Sequence, residues 1–561
     1  MKYFGWIFLF FIMLYIVPLG SRPMLAPDEF RYAEIPREMI DRGDYTTPRL
    51  CGMRYFEKTP MNYWLTAGSF KLFGQNAFAN RLPSALAVGL TALFIAMLVQ
   101  QALRDEKLAA LAAMIYMSSG LVFGVGTTAL TDSVFTMFVT GTQGLIFLAL
   151  QETKFSKRKF ALLALSGIFI GAAFLTKGFL AFVIPGLTVT AFLIIRKRWK
   201  EFLILPLPML IFAALTILPW GLAIHRAESD FWHYFIFVEH LHRATAGEAA
   251  QHSSPWWFYL PLLPLGLLPG ALLLPAACSI GKKSWQNIIS QDVFLYALCA
   301  LVVPFIFLSA MDGKLATYIL PCIPPAVLLI AAGIQSYFNN GGQHKVFNSV
   351  LNVWGGFLLA AGICGIAAWF CRSRIPQETF ETVPVDPLIL ITAGAAMTIS
   401  GGLMLYSLHG NWRIRLYMFF FGLILLPLGI SWCLTSNRQM PADTLNAVFN
   451  ENDINVKKAC LVTSYRFSHA TAWVSGRSDI KVLNLSELEY GNEAAKRNGE
   501  PQVKIEKNEL IKEINNPQRD RQIVIIMKEN SKGFEAYPLP DKRVRRNGIE
   551  CYIYQKKASR K

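Results

Sequence analysis

Residues 202–221 read FLILPLPMLIFAALTILPWG, twenty positions from Phe202 to Gly221 without a charged side chain. A helix of that length is about 30 Å long, enough to cross the hydrocarbon layer of a bilayer. The run lacks the alternation of a membrane barrel strand, so helical spanning is the reading it supports. Just before it stands Arg196-Lys197-Arg198-Trp199-Lys200, a basic tract of the kind that favours a cytoplasmic loop. Trp256–Cys278, Val350–Cys371 and Leu416–Thr435 are equally free of charge. The 561 residues are 53% hydrophobic with a mean hydropathy of +0.37, too apolar for an ordinary soluble protein.

Thirteen spans are expected, near 4–20, 82–103, 108–124, 133–151, 160–176, 178–195, 202–221, 256–279, 292–311, 317–337, 348–371, 387–408 and 416–435. The first follows Lys2 and lacks a small-residue cleavage site, so it reads as a retained helix rather than a signal peptide. With a cytoplasmic N-terminus, the basic tracts Lys154–Lys159, Arg196–Lys200, Lys282–Lys283 and Arg413–Arg415 all fall inside. Residues 21–81, 222–255 and the tail then fall outside. The net charge of +17 is thereby a feature of membrane topology and does not point to nucleic acid.

The expected organisation is a transmembrane domain, 1–435, with external loops 21–81 and 222–255, followed by a small α/β domain at 436–561. In that tail Cys460–Tyr465, Gln522–Met527 and Cys551–Tyr554 read as strands, Leu445–Asn452 and Glu509–Ile514 as helices. The nine cysteines form no CxxC pair, and Cys278, Cys299 and Cys364 lie inside spans as small apolar residues. Cys460 and Cys551 are the pair that the tail offers for a disulfide.

Chemistry gathers in the external loops. The first carries Pro27-Asp28-Glu29-Phe30-Arg31-Tyr32, in which Asp28 is placed to cap a short helix with Arg31 and Tyr32 one turn on. It continues to Tyr55-Phe56-Glu57-Lys58-Thr59-Pro60, an acid and a base between aromatics that suits a phosphate at the lipid boundary. Plain interfacial helices and an aromatic belt are the bland readings of the same residues. Asp132 and Lys177 sit at the outer ends of spans; lysine snorkels easily, whereas an aspartate reaches less far and is the stronger functional candidate. The second loop holds His225, His233, His240, His242 and His252, five of the eight histidines. These suit hydrogen bonds to phosphate, loop structure or a divalent metal. Asp312-Gly313-Lys314 forms a third external loop beside Tyr318. That all of this collects on one face is the argument for an enzyme.

The order Asp28-Glu29, then Tyr55-Phe56-Glu57-Lys58, resembles the protein mannosyltransferase-type glycosyltransferases of the GT-C class. Arg31–Ile35, Leu218–Ile224, Phe231–Phe235, Val238-Glu239-His240 and Gly313-Lys314-Leu315 resemble the ArnT family in particular, the bacterial 4-amino-4-deoxy-L-arabinose lipid A transferases. The resemblance runs through roughly 1–435 and persists weakly in the tail.

It implies an inner-membrane enzyme, with site and tail periplasmic. The sugar would pass by inversion from undecaprenyl phosphate to a lipid A phosphate, lowering surface negative charge and giving resistance to polymyxin and cationic peptides. It also implies roles. Asp28 and Asp132 are the catalytic candidates. Lys58 and Arg243 become phosphate contacts, and Arg31, Tyr32, Tyr55, Lys177 and Tyr318 line the substrate site. Glu57 and His240 are the candidate pair for a divalent metal such as zinc. Thr59 stands where the family pattern expects proline, with Pro60 displaced by one. Rival readings are a related transferase with another sugar or acceptor and, least favoured, a transporter, which would carry charges within its spans and broken helices in two halves.

Overall fold

In the computed structural model, which describes residues 2–242, 253–340, 344–371, 388–431 and 441–557, the apolar runs are helices and the tail forms a sheet. The side chains of residues 240–242 lie outside that description. The protein is a multi-pass helical membrane protein. Among the described residues eight helices are long and apolar enough to span: Ala77–Leu103, Thr131–Gln151, Lys157–Lys177, Glu201–Ala227, Asp292–Ala310, Ala316–Asn339, Lys345–Phe370 and Leu390–Ser407. Two bent pairs raise the number to ten; Tyr3–Ile16 and Leu180–Ile195 are apolar but shorter. Trp412–Ser431 occupies the last expected position.

The bent pairs correct the expectation of uninterrupted spans. Glu106–Ser118 and Gly120–Gly126 meet at 65°, and Trp256–Gly266 and Gly270–Cys278 at 83°. The second break lies among Pro264, Pro269 and Pro275, which lack the N–H that would continue the helical ladder. The two breaks satisfy each other. The Gly120 amide, freed at one, donates to the Leu268 carbonyl at the other, 2.6 Å away.

Lys157–Lys177 packs against both Thr131–Gln151 and Pro206–Ala227. Its approach to the second depends on small residues. A Cβ on Gly167 would fall 2.4 Å from the Met209 carbonyl oxygen, and one on Gly171 2.9 Å from that of Ala213.

At one end of the bundle the segment 21–81 builds a cap. It holds the helix Asp28–Arg42, a hairpin of β1 (Arg49–Leu50) and β2 (Met53–Arg54), and the helix Met61–Phe73. The C-terminal unit packs on this cap through the helices Tyr465–Ser475 and Glu489–Arg497. One apolar core joins them: Phe30, Ile35, Met39 and Tyr63 from the cap cluster with Phe467, Val524 and Ile553.

The C-terminal sheet has the order β4-β3-β5-β7-β6, where β3 is Cys460–Thr463, β4 Lys481–Val482, β5 Ile523–Lys528, β6 Lys542–Arg546 and β7 Ile549–Tyr554. β3 is parallel to β4 and β5; β7 is antiparallel to β5 and β6. The expected strands and helices of the tail are present. The suggested Cys460–Cys551 disulfide is not, and both thiols are free and buried. Their strands flank β5 on opposite sides, roughly 9–10 Å apart, and Cys460 stands opposite Ile523 but Cys551 opposite Ile526, so the two are beyond the reach of a disulfide. The two side chains also enter the cores on opposite faces of the sheet.

Candidate active site

The helix Asp28–Arg42 begins immediately after Pro27, and no side chain caps it. Asp28 is therefore not the cap that its position suggested. Its neighbour Glu29 ties the helix down instead. The fully buried Glu29 carboxylate accepts from Arg81 Nε at 2.6 Å and Nη2 at 2.8 Å, from Arg22 Nη1 at 2.9 Å, and from the Leu25 and Ala129 amides. Burial alone would raise its pKa, but the two guanidiniums and the amide outweigh burial and hold it below the ordinary value. With Glu29 fixed, Asp28 is left exposed at the helix entrance, 3.4 Å from Arg31 Nη2.

Arg31 turns the other way as well, reaching Glu487 of the C-terminal unit at 3.1 Å. The Tyr55 hydroxyl lies 3.2 Å from both Glu57 and Glu487, which places two carboxylates from distant parts of the sequence around one phenol. Tyr32 is buried and stacked on Tyr63, ring centroids 6.0 Å apart. Burial pushes its pKa up to about 12, with Arg31 and Lys58 pulling down and Asp28 and Asp132 pushing up. Those four charges reach Tyr32 from three separate stretches of sequence, so the motifs of the first loop and the end of the Thr131 helix converge on it.

Lys58 donates to Glu239 Oε1 at 2.9 Å and to the Glu57 carbonyl at 3.1 Å. Burial works against its charge, yet the Glu239 and Glu57 carboxylates prevail and raise its pKa above the ordinary lysine value. Thr59 then explains its own departure from the expected proline: its hydroxyl donates to the Phe174 carbonyl at 3.0 Å. That bond pins the Lys58 loop to the last turn of the helix Lys157–Lys177.

Lys177 ends this helix and donates to Asp132 Oδ1 at 2.6 Å, with its ammonium 4.1 Å from the centre of the Tyr318 ring. The loop before Tyr318 is held by Lys314, whose buried ammonium donates to the Ser254 carbonyl at 2.8 Å, so Lys314 is a structural cation. These groups are neighbours: Lys58 and Lys177 both lie near Tyr318, and Lys58, Arg31, Asp28 and Asp132 all act on Tyr32.

The model of the dolichyl-phosphate-mannose-protein mannosyltransferase family matches residues 1–235. An undecaprenyl phosphate-alpha-4-amino-4-deoxy-L-arabinose arabinosyl transferase of Shewanella sediminis (strain HAW-EB3) is 35% identical over 560 residues, 98% of this chain and 97% of that one. The protein of the same name in Aeromonas salmonicida (strain A449) is 34% identical over 488 residues, 86% of each chain. The chain belongs to this arabinosyl transferase family. Its fold agrees: the crystal structure of ArnT from Cupriavidus metallidurans bound to undecaprenyl phosphate superposes with a TM-score of 0.78 at 20% identity, covering 98% of each chain. The apo oligosaccharyltransferase of Archaeoglobus fulgidus shares the architecture more distantly, with a TM-score of 0.53 at 12% identity over 94% of this chain and 69% of that one.

Membership in the arabinosyl transferase family makes the protein a glycosyltransferase. Of the residues singled out in the sequence, Asp28, Arg31, Tyr32, Tyr55, Glu57 and Lys58 come together, and Asp132, Lys177 and Tyr318 join them from the spans. Arg243 and the His240 side chain lie outside the described residues. For a metal, Glu57 supplies one carboxylate, already hydrogen-bonded to Tyr55. Among the described residues no group of three or more His, Cys, Asp or Glu is arranged to hold an ion. The sequence did not announce Glu239 as the partner of Lys58, although it stood in the Val238-Glu239-His240 motif. Glu487 carried no signal at all, because a single acid in a polar tail is ordinary.

Proposed function

We propose that the protein transfers 4-amino-4-deoxy-L-arabinose from undecaprenyl phosphate to a phosphate of lipid A, on the periplasmic side of the bacterial inner membrane. The observation that carries this reading is the half-buried Lys58 ammonium, held by Glu239 in the loop that also carries Tyr55 and Glu57. The relatives' name supports the donor, and the positions of the basic tracts at the other end of the helices support the orientation. Thiol labelling of cysteines placed at Lys157 and Glu489 in intact cells tests that orientation; reaction at 157 alone overturns it.

The chemistry is a single displacement. A non-bridging oxygen of the acceptor phosphate attacks the anomeric carbon, a new C–O bond forms, and the C–O bond to the donor phosphate breaks with inversion. Undecaprenyl phosphate leaves with the electron pair. The nucleophile is already an anion and the leaving group a stable one, so no proton transfer is required. Catalysis rests on positioning and on compensating charge. In this reading Lys58, with Arg243, holds the donor phosphate and stabilises the charge that develops on it. Asp28 orients the reacting sugar and acceptor against Arg31. Tyr32, Tyr55 and Tyr318 wall the sugar. Asp132 or Glu57 faces its ammonium, and Lys177 sets the orientation of Asp132. Glu57 and His240 would hold a divalent metal such as zinc, which metal analysis of purified wild type against Glu57→Gln tests; equal metal content in the two removes Glu57 as a ligand.

The consequence for the cell would be a less anionic surface and resistance to polymyxin and other cationic peptides. Mass spectrometry of lipid A extracted from cells with and without the gene tests the whole reading. Loss of the amino sugar on deletion is the expected outcome, and unchanged lipid A overturns it.

A further inference from the structure

At the end of the bundle remote from the active site lies a second cavity, of about 350 Å³. Three helices place it there. Lys107 is in the first turn of the helix that starts at Glu106, just past the far end of Ala77–Leu103. Gln335 is near the end of the helix that leads away from Tyr318. Arg413 is in the first turn of Trp412–Ser431.

The lining is divided. Lys107, Gln335 and Arg413 form a polar end, and Leu111 and Met114 lead inward along an apolar wall. Among the described residues neither Lys107 nor Arg413 has an acidic partner; the Arg413 guanidinium lies over the Trp412 ring, 5.4 Å from its centre. The nearby carboxylate Asp105 is otherwise engaged. Oδ1 accepts from the Lys107 and Leu108 amides as a helix cap, and Oδ2 from Gln335 at 2.6 Å. Lys107 and Arg413 are both exposed and both line the cavity. Its division into a cationic mouth and an apolar wall matches one class of molecule.

We propose that this cavity binds a glycerophospholipid with an anionic headgroup, its phosphate on Lys107 and Arg413 and the upper part of an acyl chain along Leu111 and Met114. The site is separate from the one that handles the substrates, and it stands whether or not the proposed transfer reaction is correct.

Native mass spectrometry of the full-length protein released from detergent tests it, with phosphatidylglycerol, phosphatidylcholine of the same acyl chains, or inorganic phosphate added. The wild type is expected to retain one phosphatidylglycerol in preference to phosphatidylcholine. Lys107→Ala/Arg413→Ala, changes at exposed positions, should weaken that retention roughly tenfold or more, the effect of losing a charge-assisted contact. Met114→Trp should displace the lipid by filling the wall while keeping both cations. Inorganic phosphate should leave the adduct in place. Wild-type phosphatidylglycerol retention by the double variant, equal retention of phosphatidylcholine, or displacement by inorganic phosphate would each overturn the proposal.

Discussion

Lys58 and Glu239, 181 positions apart, form an ion pair of 2.9 Å that joins the first external loop to the second. The pair sets the Lys58 ammonium at a half-buried position beside a carboxylate. In the proposed reaction a donor phosphate would compete with Glu239 for the ammonium.

The first prediction follows from the cation itself. Lys58→Ala should reduce kcat/KM by roughly ten- to a hundredfold, the worth of one charge-assisted contact of about 1.5–3 kcal/mol. Lys58→Arg should recover part of the loss, because charge is kept while the compact ammonium is not. A steady-state transfer assay at matched protein level decides it, and undiminished activity in the alanine variant removes Lys58 from the site.

The partner carboxylate should show itself in the pH profile. Burial lowers the pKa of Lys58 and Glu239 counters it, so Glu239→Gln lets that pKa fall. The alkaline limb of kcat/KM should therefore move to lower pH in the variant, with the acid limb unchanged. An alkaline limb that stays at the wild-type position means that Glu239 does not govern the charge of Lys58.

Glu29 and Asp28 are adjacent but should fail in opposite ways. Glu29→Gln leaves Arg81 and Arg22 buried with no carboxylate, a cost on the order of 3–5 kcal/mol. Its signature is a lowered Tm and poor recovery from the membrane. If Glu29→Gln melts like the wild type but loses transfer, Glu29 is part of the chemistry.

Asp28→Asn should fold, insert and melt normally, since Asp28 is exposed and caps nothing. Most of its transfer activity should nevertheless be gone, because the substitution keeps the shape and removes the charge that faces Arg31. Near-normal transfer at matched protein level would withdraw the carboxylate from the mechanism.

The membrane architecture was legible because each span must bury its own backbone hydrogen bonds and so needs a long apolar run. What escaped was where two of those runs break. Pro264 and Pro269 are visible in the sequence, but the Leu268 carbonyl finds its donor in Gly120, nearly 150 positions earlier, and no local pattern records that. In the tail, Cys460–Tyr465 and Cys551–Tyr554 were readable as apolar strands, and β3 and β7 form there, whereas β6, Lys-Arg-Val-Arg-Arg, reads as a charge run. It pairs as an edge strand because the buried Glu550 of β7 binds Arg543 and Arg545. The site divides in the same way. Asp28, Arg31, Tyr32, Glu57 and Lys58 lie close in sequence and signal together. Glu487 reaches Arg31 and Tyr55 only through the docking of the C-terminal unit, which Arg54 fastens by pairing with both Glu228 and Glu500.

Transfer itself is the most direct test. The purified protein, reconstituted in liposomes with undecaprenyl phosphate-linked 4-amino-4-deoxy-L-arabinose and lipid A, should produce lipid A carrying the amino sugar, read by mass spectrometry. Product should require the wild-type protein and be nearly absent with Asp28→Asn. Lipid A left unmodified by active-looking, correctly folded wild type, while another phosphorylated or hydroxylated acceptor in the same vesicles takes the sugar, would contradict the proposed acceptor; no transfer to any acceptor would contradict the proposed reaction.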